Sequence, residues 1–397
     1  MDLQAKAAIV FILLLALVLY LERKKLDRQE IIPGFIYLLM YKTKAGLKLM
    51  EKIARKYGRT VKYIGYGGVI IGFLGMLFIS AIMLQGTYNL FFVEGGKAAV
   101  GIVQPFKENV PGTFFVPFFY LIISILVLVI VHEFSHGIMA RLYNLDIKSS
   151  GLAFFAILLP IIPAAFVEPD EQKLAKRPRL QQLSIFAAGP FSNIVLAFII
   201  FGIVAAAAGP VADAMIDYDG VMVTGLVKED SKAYPAEAAG MTPGEVIKEI
   251  DGTRILTSEN LSNAVRGKSP GQTVNIVTNR TSYDILLAAN PSNSSAPYLG
   301  VYLKQYTVFR PAFKDGAGLI FAESVLWVLQ LLIWMYALNL GVGLFNLAPI
   351  PICDGGRMMQ LALEKYMTKE KAMKAWKIIA SIFLLLIIIN LGVGFFK

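Results

Sequence analysis

The chain has 397 residues, of which 56% are hydrophobic and only 17% charged, a composition that excludes an ordinary water-soluble globular protein. A net charge of +10 would suit nucleic acid, but the basic residues crowd into loops beside apolar segments, so they report membrane orientation and no nucleic-acid partner is expected. The single cysteine, Cys353, excludes an internal disulfide.

Apolar stretches of near-bilayer length predict spans at about 7–21, 64–84, 116–140, 183–208, 318–346 and 378–396. The expected fold class is an α-helical polytopic membrane protein with about six transmembrane helices and an inserted extracytoplasmic PDZ-like α/β domain. The first apolar run resembles a signal peptide, but its basic cluster (Arg23, Lys24, Lys25, Arg28) follows the run, and no small-residue cleavage site is evident. Residues 1–63 are therefore expected to be a retained anchor helix and a basic cytoplasmic segment. Twelve Lys and Arg lie in 22–62, six in 141–182 and six in 357–377. All three stretches fall on one side of the membrane if six spans are counted, and the positive-inside rule makes that side cytoplasmic. Residues 212–315 then lie outside.

The third span ends in "VIVHEFSHGIMARLYN", which holds the chain's only two histidines, His132 and His136. Four residues apart on a helix, they project from one face and can grip one metal ion, while Glu133 beside them can serve as a base toward water. Ionisable groups in hydrocarbon are costly and are kept for a task. Counting from residue 116, His132 lies roughly 24 Å along a span whose hydrocarbon is about 30 Å thick, toward the cytoplasmic face.

Next comes "GLAFFAILLPIIPAAFV", residues 151–167, in which Pro160 and Pro163 oppose a helix. A crossing here would also move Lys173, Lys176, Arg177 and Arg179 to the wrong side. The stretch reads as a re-entrant hairpin packed against protein, either a structural loop or an edge on which an extended substrate pairs. Together with the second, third and fourth spans it makes up a membrane core over 64–211.

Residues 212–310 have their own character. "VMVTGLV" is strand-like, "PAEAAG" suggests a short helix closed by Gly240, and "MTPGEVIKEIDG" suggests a strand followed by an Asp251-Gly252 turn. "SENLSNAVRG" reads as a helix with Ser258 as N-cap and Gly267 just past its end; "TVNIVTN" and "YDILLAA" read as paired strands. The order resembles PDZ domains of membrane and periplasmic proteases, which implies either capture of peptide termini, with "YLGV" (298–301) as a candidate loop, or a steric filter.

The closing membrane segment, 311–397, carries "NLAPIPICDGG" after span five. Pro349 and Pro351 interrupt the helix, Gly355 and Gly356 allow close backbone approach, and Asp354 emerges at the same depth as the histidines. A catalytic zinc usually takes three protein ligands. Among the few acidic candidates, Glu323 sits at the outer end of span five and Asp354 at its inner end, so Asp354 is the expected third ligand.

At these residues the chain resembles the site-2 protease family of intramembrane zinc metalloproteases. "HEFSHG", "AAGPFSNIVLA" (187–197) and "NLAPIPICDGG" match its three motifs, in the family's order, with the PDZ-like insertion between the last two. The resemblance implies one zinc ion held by His132, His136 and Asp354, with Glu133 as catalytic base. Gly189, Pro190, Pro349, Pro351 and Gly355 support the motifs. It also implies transmembrane protein substrates cut in regulated intramembrane proteolysis. Cys353 stands where an aliphatic residue is more familiar; it is read as a small hydrophobe rather than a competing thiolate. Asn193 and Asn346 are expensive in lipid unless bonded, so they either hold substrate or an oxyanion, or join helices. Two rivals remain, a catalytically silent PDZ-bearing adaptor and a metal-ion transporter.

Overall fold

The computed structural model describes residues 3–32, 36–94, 96, 98–105, 112–157, 159–229 and 232–396. Helix α1 (Leu3–Leu21) leads into strands β1 (Leu26–Ile32) and β2 (Ile36–Thr43), then helices α2 (Leu47–Lys56), α3 (Gly58–Phe92) and α4 (Phe118–Leu142). Strands β3 (Ile147–Ile157) and β4 (Leu159–Pro169), the short helix α5 (Glu171–Ala175) and helix α6 (Arg179–Met215) follow. Next in the chain are β5 (Ile216–Leu226), α7 (Pro235–Ala238), β6 (Val246–Ile250), α8 (Ser258–Arg266), β7 (Thr273–Thr278), β8 (Ser282–Leu286) and β9 (Val301–Phe309). The last elements are α9 (Gly316–Phe345), α10 (Asp354–Tyr366) and α11 (Lys369–Phe396). Two compact units result, Met1–Val204 with Leu329–Lys397, and Ala205–Val328.

Among the described residues, α3, α4, α6, α9 and α11 are long and apolar enough to cross a bilayer. The sixth expected span is shorter. The apolar Lys6–Leu21 stretch of α1 rises roughly 24 Å, against a hydrocarbon thickness of about 30 Å. Lipid offers no backbone partners, so uninterrupted helices satisfy each N–H and C=O internally.

Within the first unit, α3 turns a face of glycines inward. Ideal Cβ atoms at Gly65, Gly68 and Gly72 would meet Met139, Phe191 and Met358 at 2.3–3.3 Å. Such small residues let helices approach closely where no hydrophobic effect drives them together. The packed core they help form gathers Met76, Met139, Ile185, Ala187, Leu347 and Met358, and holds α4, α6 and α10 in fixed register.

The stretch 151–167 is a β-hairpin, β3 pairing antiparallel with β4 and closing at Ile157 and Leu159, with Leu158 outside the described residues. Pro160 and Pro163 lie in β4, the last strand of a sheet ordered β1-β2-β3-β4, and proline is tolerated at such an edge. The other two strands come from the N-terminal segment expected to be only a basic loop. Its apolar run "IYLLMY" pairs along β3 from Ile36 opposite Ile157 to Thr43 opposite Ser150. A short apolar run bounded by charges is a strand signal that a charge count overlooks.

In the second unit, a six-stranded sheet runs in the order β8-β7-β6-β5-β9, with the short strand Thr253–Arg254 paired to β6 off that path. Its core is aliphatic: Val221, Val223, Ile247, Ile276 and Ile285 are fully buried. The Asp251-Gly252 turn is present, with φ of 48° and 77°, the left-handed geometry such hairpin turns require. Helix α8 begins one residue earlier than expected. Thr257, not Ser258, is its N-cap, in a capping box with Asn260, because Thr257 accepts from the Asn260 amide while the Asn260 side chain accepts from that of Thr257. Gly267 closes the helix, as the sequence suggested.

Candidate active site

The last three turns of α4 carry His132, Glu133 and His136, all within the first unit. The i, i+4 spacing brings the two imidazoles onto one face, where their Nε2 atoms lie 3.1 Å apart. The turn after α9 brings Asp354 to them. The backbone from Asn346 to Cys353 folds back on itself, Ala348 N–H donating to Phe345 O and Cys353 N–H to Ile350 O. Gly355 N–H then reaches Asn346 O at 2.9 Å. Only glycine fits here, since a Cβ on Gly355 would lie 2.0 Å from Leu347 O, and one on Gly356 2.1 Å from Ile350 O. Pro349 and Pro351, which have no N–H to donate, sit in this turn. Asp354 is the first residue of α10, where the positive end of the helix dipole favours a carboxylate. Its Oδ2 lies 3.2 Å from His132 Nε2 and 3.3 Å from His136 Nε2.

Several features fit a zinc ion held by these three side chains. With metal–ligand bonds of about 2.0–2.2 Å, tetrahedral ligand atoms stand roughly 3.3–3.5 Å from one another, close to the three separations observed. His136 Nδ1 lies 2.6 Å from the Ile185 carbonyl, which can only accept, so Nδ1 carries the proton and the Nε2 lone pair faces the cluster. Asn193 does the same for His132, its amide 3.1 Å from Nδ1. Nδ2 faces the ring, while Asn193 Oδ1 is fully buried and has no hydrogen-bond partner among the described residues. Turning the amide over satisfies both groups: Oδ1 then accepts from the Nδ1–H that a ligating Nε2 demands. Gly189 on α6 leaves the necessary room, because a Cβ there would come 2.4 Å from His136 Nε2 and 2.6 Å from His132 Nε2.

A cavity of about 560 Å³ opens onto the cluster. Glu133, Asn346 and Cys353 line it, together with Ala164 to Val167 of β4 and Arg357 of α10. Glu133 is held by the hairpin, its Oε2 accepting from the Val167 backbone N–H at 3.0 Å. The two asparagines expected at the site part company. Asn346 lines the cavity, whereas Asn193 is wholly buried against His132 and takes no part in the cavity wall. Pro190 follows Gly189 inside α6. The sequence reading missed the Ile185 carbonyl and the Val167 amide, backbone groups that no residue type announces. It also missed Arg357, which lies one helical turn after Asp354.

The model of Peptidase family M50 matches residues 120–390 of this chain. An uncharacterized protein of Methanocaldococcus jannaschii is 25% identical over 357 residues, covering 88% of this chain and 84% of that one. The zinc metalloprotease RasP of Shouchella clausii is 25% identical over 241 residues, 51% of this chain and 55% of RasP, so the chain spans about half of that relative. RasP of Oceanobacillus iheyensis is 24% identical, covering 58% and 63% respectively. Among solved structures, the PDZ domain of an SdrC-like protein from Listeria monocytogenes is 31% identical over 22% of this chain and 88% of that one, with a TM-score of 0.19.

Proposed function

This chain belongs to peptidase family M50, the site-2 protease family, and on that premise we propose that it is an intramembrane zinc endopeptidase cutting transmembrane segments of membrane-anchored proteins. One observation carries the reading: two imidazole nitrogens and a carboxylate oxygen from distant parts of the chain stand 3.1–3.3 Å apart beside a glutamate in a cavity. A silent adaptor has no use for that arrangement.

His132, His136 and Asp354 would hold the ion. When bound, zinc supplies Lewis acidity to a water and to the scissile carbonyl at neutral pH. Glu133 takes the proton of the attacking water and delivers it to the departing amine. The Val167 amide aims its carboxylate, and the Ile185 carbonyl and Asn193 fix the two imidazole rings. Asn346, in the cavity wall, is placed to bond the substrate backbone.

A transmembrane helix hides its peptide bonds, so the substrate must be extended before it is cut. Strand β4 is the edge of its sheet and contributes Ala164 to Val167 to the cavity wall. An unwound segment pairing with that edge would lie across Glu133. Basic residues in 22–62, 141–182 and 357–377 support placing the catalytic end toward the cytoplasm and the second unit outside the cell membrane. The second unit, PDZ-like in its order of strands and helices, would then meet substrate ectodomains or peptide termini before they reach the site.

Purified full-length chain should contain about one zinc per molecule and cut a reporter transmembrane helix. Glu133→Gln should keep the zinc and lose at least about 100-fold in turnover. Unchanged turnover in that variant, or a chain that takes up no zinc, rules the reading out.

A further inference from the structure

A second cavity of about 550 Å³ adjoins the catalytic one. The two share Leu174, Phe186 and Arg357 in their walls and so lie side by side. Charge in the second is unbalanced: Arg177, Arg179, Arg357 and Lys369 face only Glu171 and Glu364. Arg357 and Glu171 pair loosely, at 3.6 Å. Glu364 is engaged differently, its carboxylate accepting from Gln360 at 3.1 Å and its backbone carbonyl from Arg179 at 2.8 Å. Arg177 bonds the neutral Asn144 carbonyl at 3.1 Å. Among the described residues, Arg177, Arg179 and Lys369 pair with no carboxylate. The wall is nevertheless well anchored, since buried Gln182 donates to the Arg177 carbonyl at 2.7 Å.

Cations gathered without counter-charge favour an anion, and guanidinium groups suit carboxylates in particular. We propose that this cavity is a substrate subsite for an acidic stretch flanking the segment to be cut, on the side placed toward the cytoplasm. Its occupant rests on the proteolytic reading. Lipid phosphate shares the anionic chemistry, but a wall shared with the catalytic cavity favours the substrate chain. The subsite would also discriminate. Cytoplasmic flanks of membrane proteins are commonly basic, so a cationic wall turns most of them away and admits the acidic exception.

The test is binding, read without turnover. Full-length Glu133→Gln protein in nanodiscs of neutral lipid is titrated with fluorescent transmembrane substrates whose flanks carry three Asp, three Asn or three Lys. The Asp flank should bind about five- to tenfold tighter than the Asn flank, and the advantage should shrink in about 0.5 M salt. Reversing the wall with Arg177→Glu, Arg179→Glu and Lys369→Glu together should invert the order and favour the Lys flank, an outcome a misfolded protein cannot produce. Equal binding of the Asp and Asn flanks, or an Asp preference that survives the reversal, overturns the proposal. So does a wall reversal that alters only binding to anionic phospholipid vesicles, which would assign the cavity to lipid. A failure of the unsubstituted chain to cut any of these substrates would count against the proteolytic reading alone, because the binding order still judges the subsite.

Discussion

Each unit of the molecule draws a carboxylate in from solvent, Glu245 fully and Asp354 in part, and the two are treated in opposite ways. In the second unit Glu245, only 1% exposed, is surrounded by donors: Thr242 N–H, Thr242 Oγ1 and Tyr283 OH on one oxygen, Thr278 Oγ1 on the other, all at 2.8–2.9 Å. Every lone pair it turns inward is answered by its own fold. In the first unit Asp354 turns an oxygen toward two imidazole nitrogens whose protons point away, one of them toward a carbonyl. With the rings so oriented, three acceptors converge where a bound cation would sit. A closed network of this kind holds a fold together, while an open one needs a cation from outside.

Substitutions should separate the two networks sharply. Asp354→Ala removes one of the three proposed ligands, so zinc content should fall from about one per chain to near zero and hydrolysis with it. Metal analysis gives the zinc content, and thermal unfolding of the substituted and unsubstituted apo proteins separates a loss of zinc from a loss of fold. A variant that unfolds but keeps its zinc would reverse the assignment.

Gly189→Ala comes next. Its methyl would press on both Nε2 atoms, and overpacking of this kind costs about 1–3 kcal/mol, enough to weaken zinc roughly 10- to 100-fold. Competition with a chelator measures it. Asn193→Ala leaves the ligands in place and frees the His132 ring, for an expected loss of about tenfold in zinc affinity. If Asn193 merely joined helices, stability would drop and zinc affinity would not.

How much of this was legible in the sequence follows from where the information resides. His132, Glu133 and His136 are a local pattern, readable from spacing on one helix. Asp354 is remote, yet the prolines and glycines around it announce an interrupted helix, and their conjunction with the histidines singled it out. Gly189 could be named but its purpose could not, because the space it leaves is defined by two side chains some fifty residues away. The Val167 amide and Ile185 carbonyl have no signature in residue type at all. Strands β1 and β2 were concealed by charge: the lysines and arginines from which a cytoplasmic loop was expected flank the apolar run that forms β2. Asn193 was expected either to hold substrate or to join helices, because a buried amide needs a partner; its partner is the His132 ring on α4.

The smallest effect expected lies in the closed network. Burial pushes the Glu245 carboxyl up, but the hydrogen bonds from Thr278, Thr242 and Tyr283 outweigh it and hold the group below its ordinary value of 4.5. A carboxyl depressed by folding contributes stability that is fully present above the unfolded value and disappears as pH falls through the folded one. The second unit should therefore lose stability below about pH 4.5, and Glu245→Gln should be weaker by about 1–3 kcal/mol at neutral pH and show less of that acid dependence. Hydrogen exchange of β6 and β7 in the full chain, corrected for intrinsic rates, follows the change. Zinc retention by Glu245→Gln at pH 7 should match that of the unsubstituted chain; release of metal would mean that the two carboxylates are not independent, and the contrast between a closed and an open network would fail.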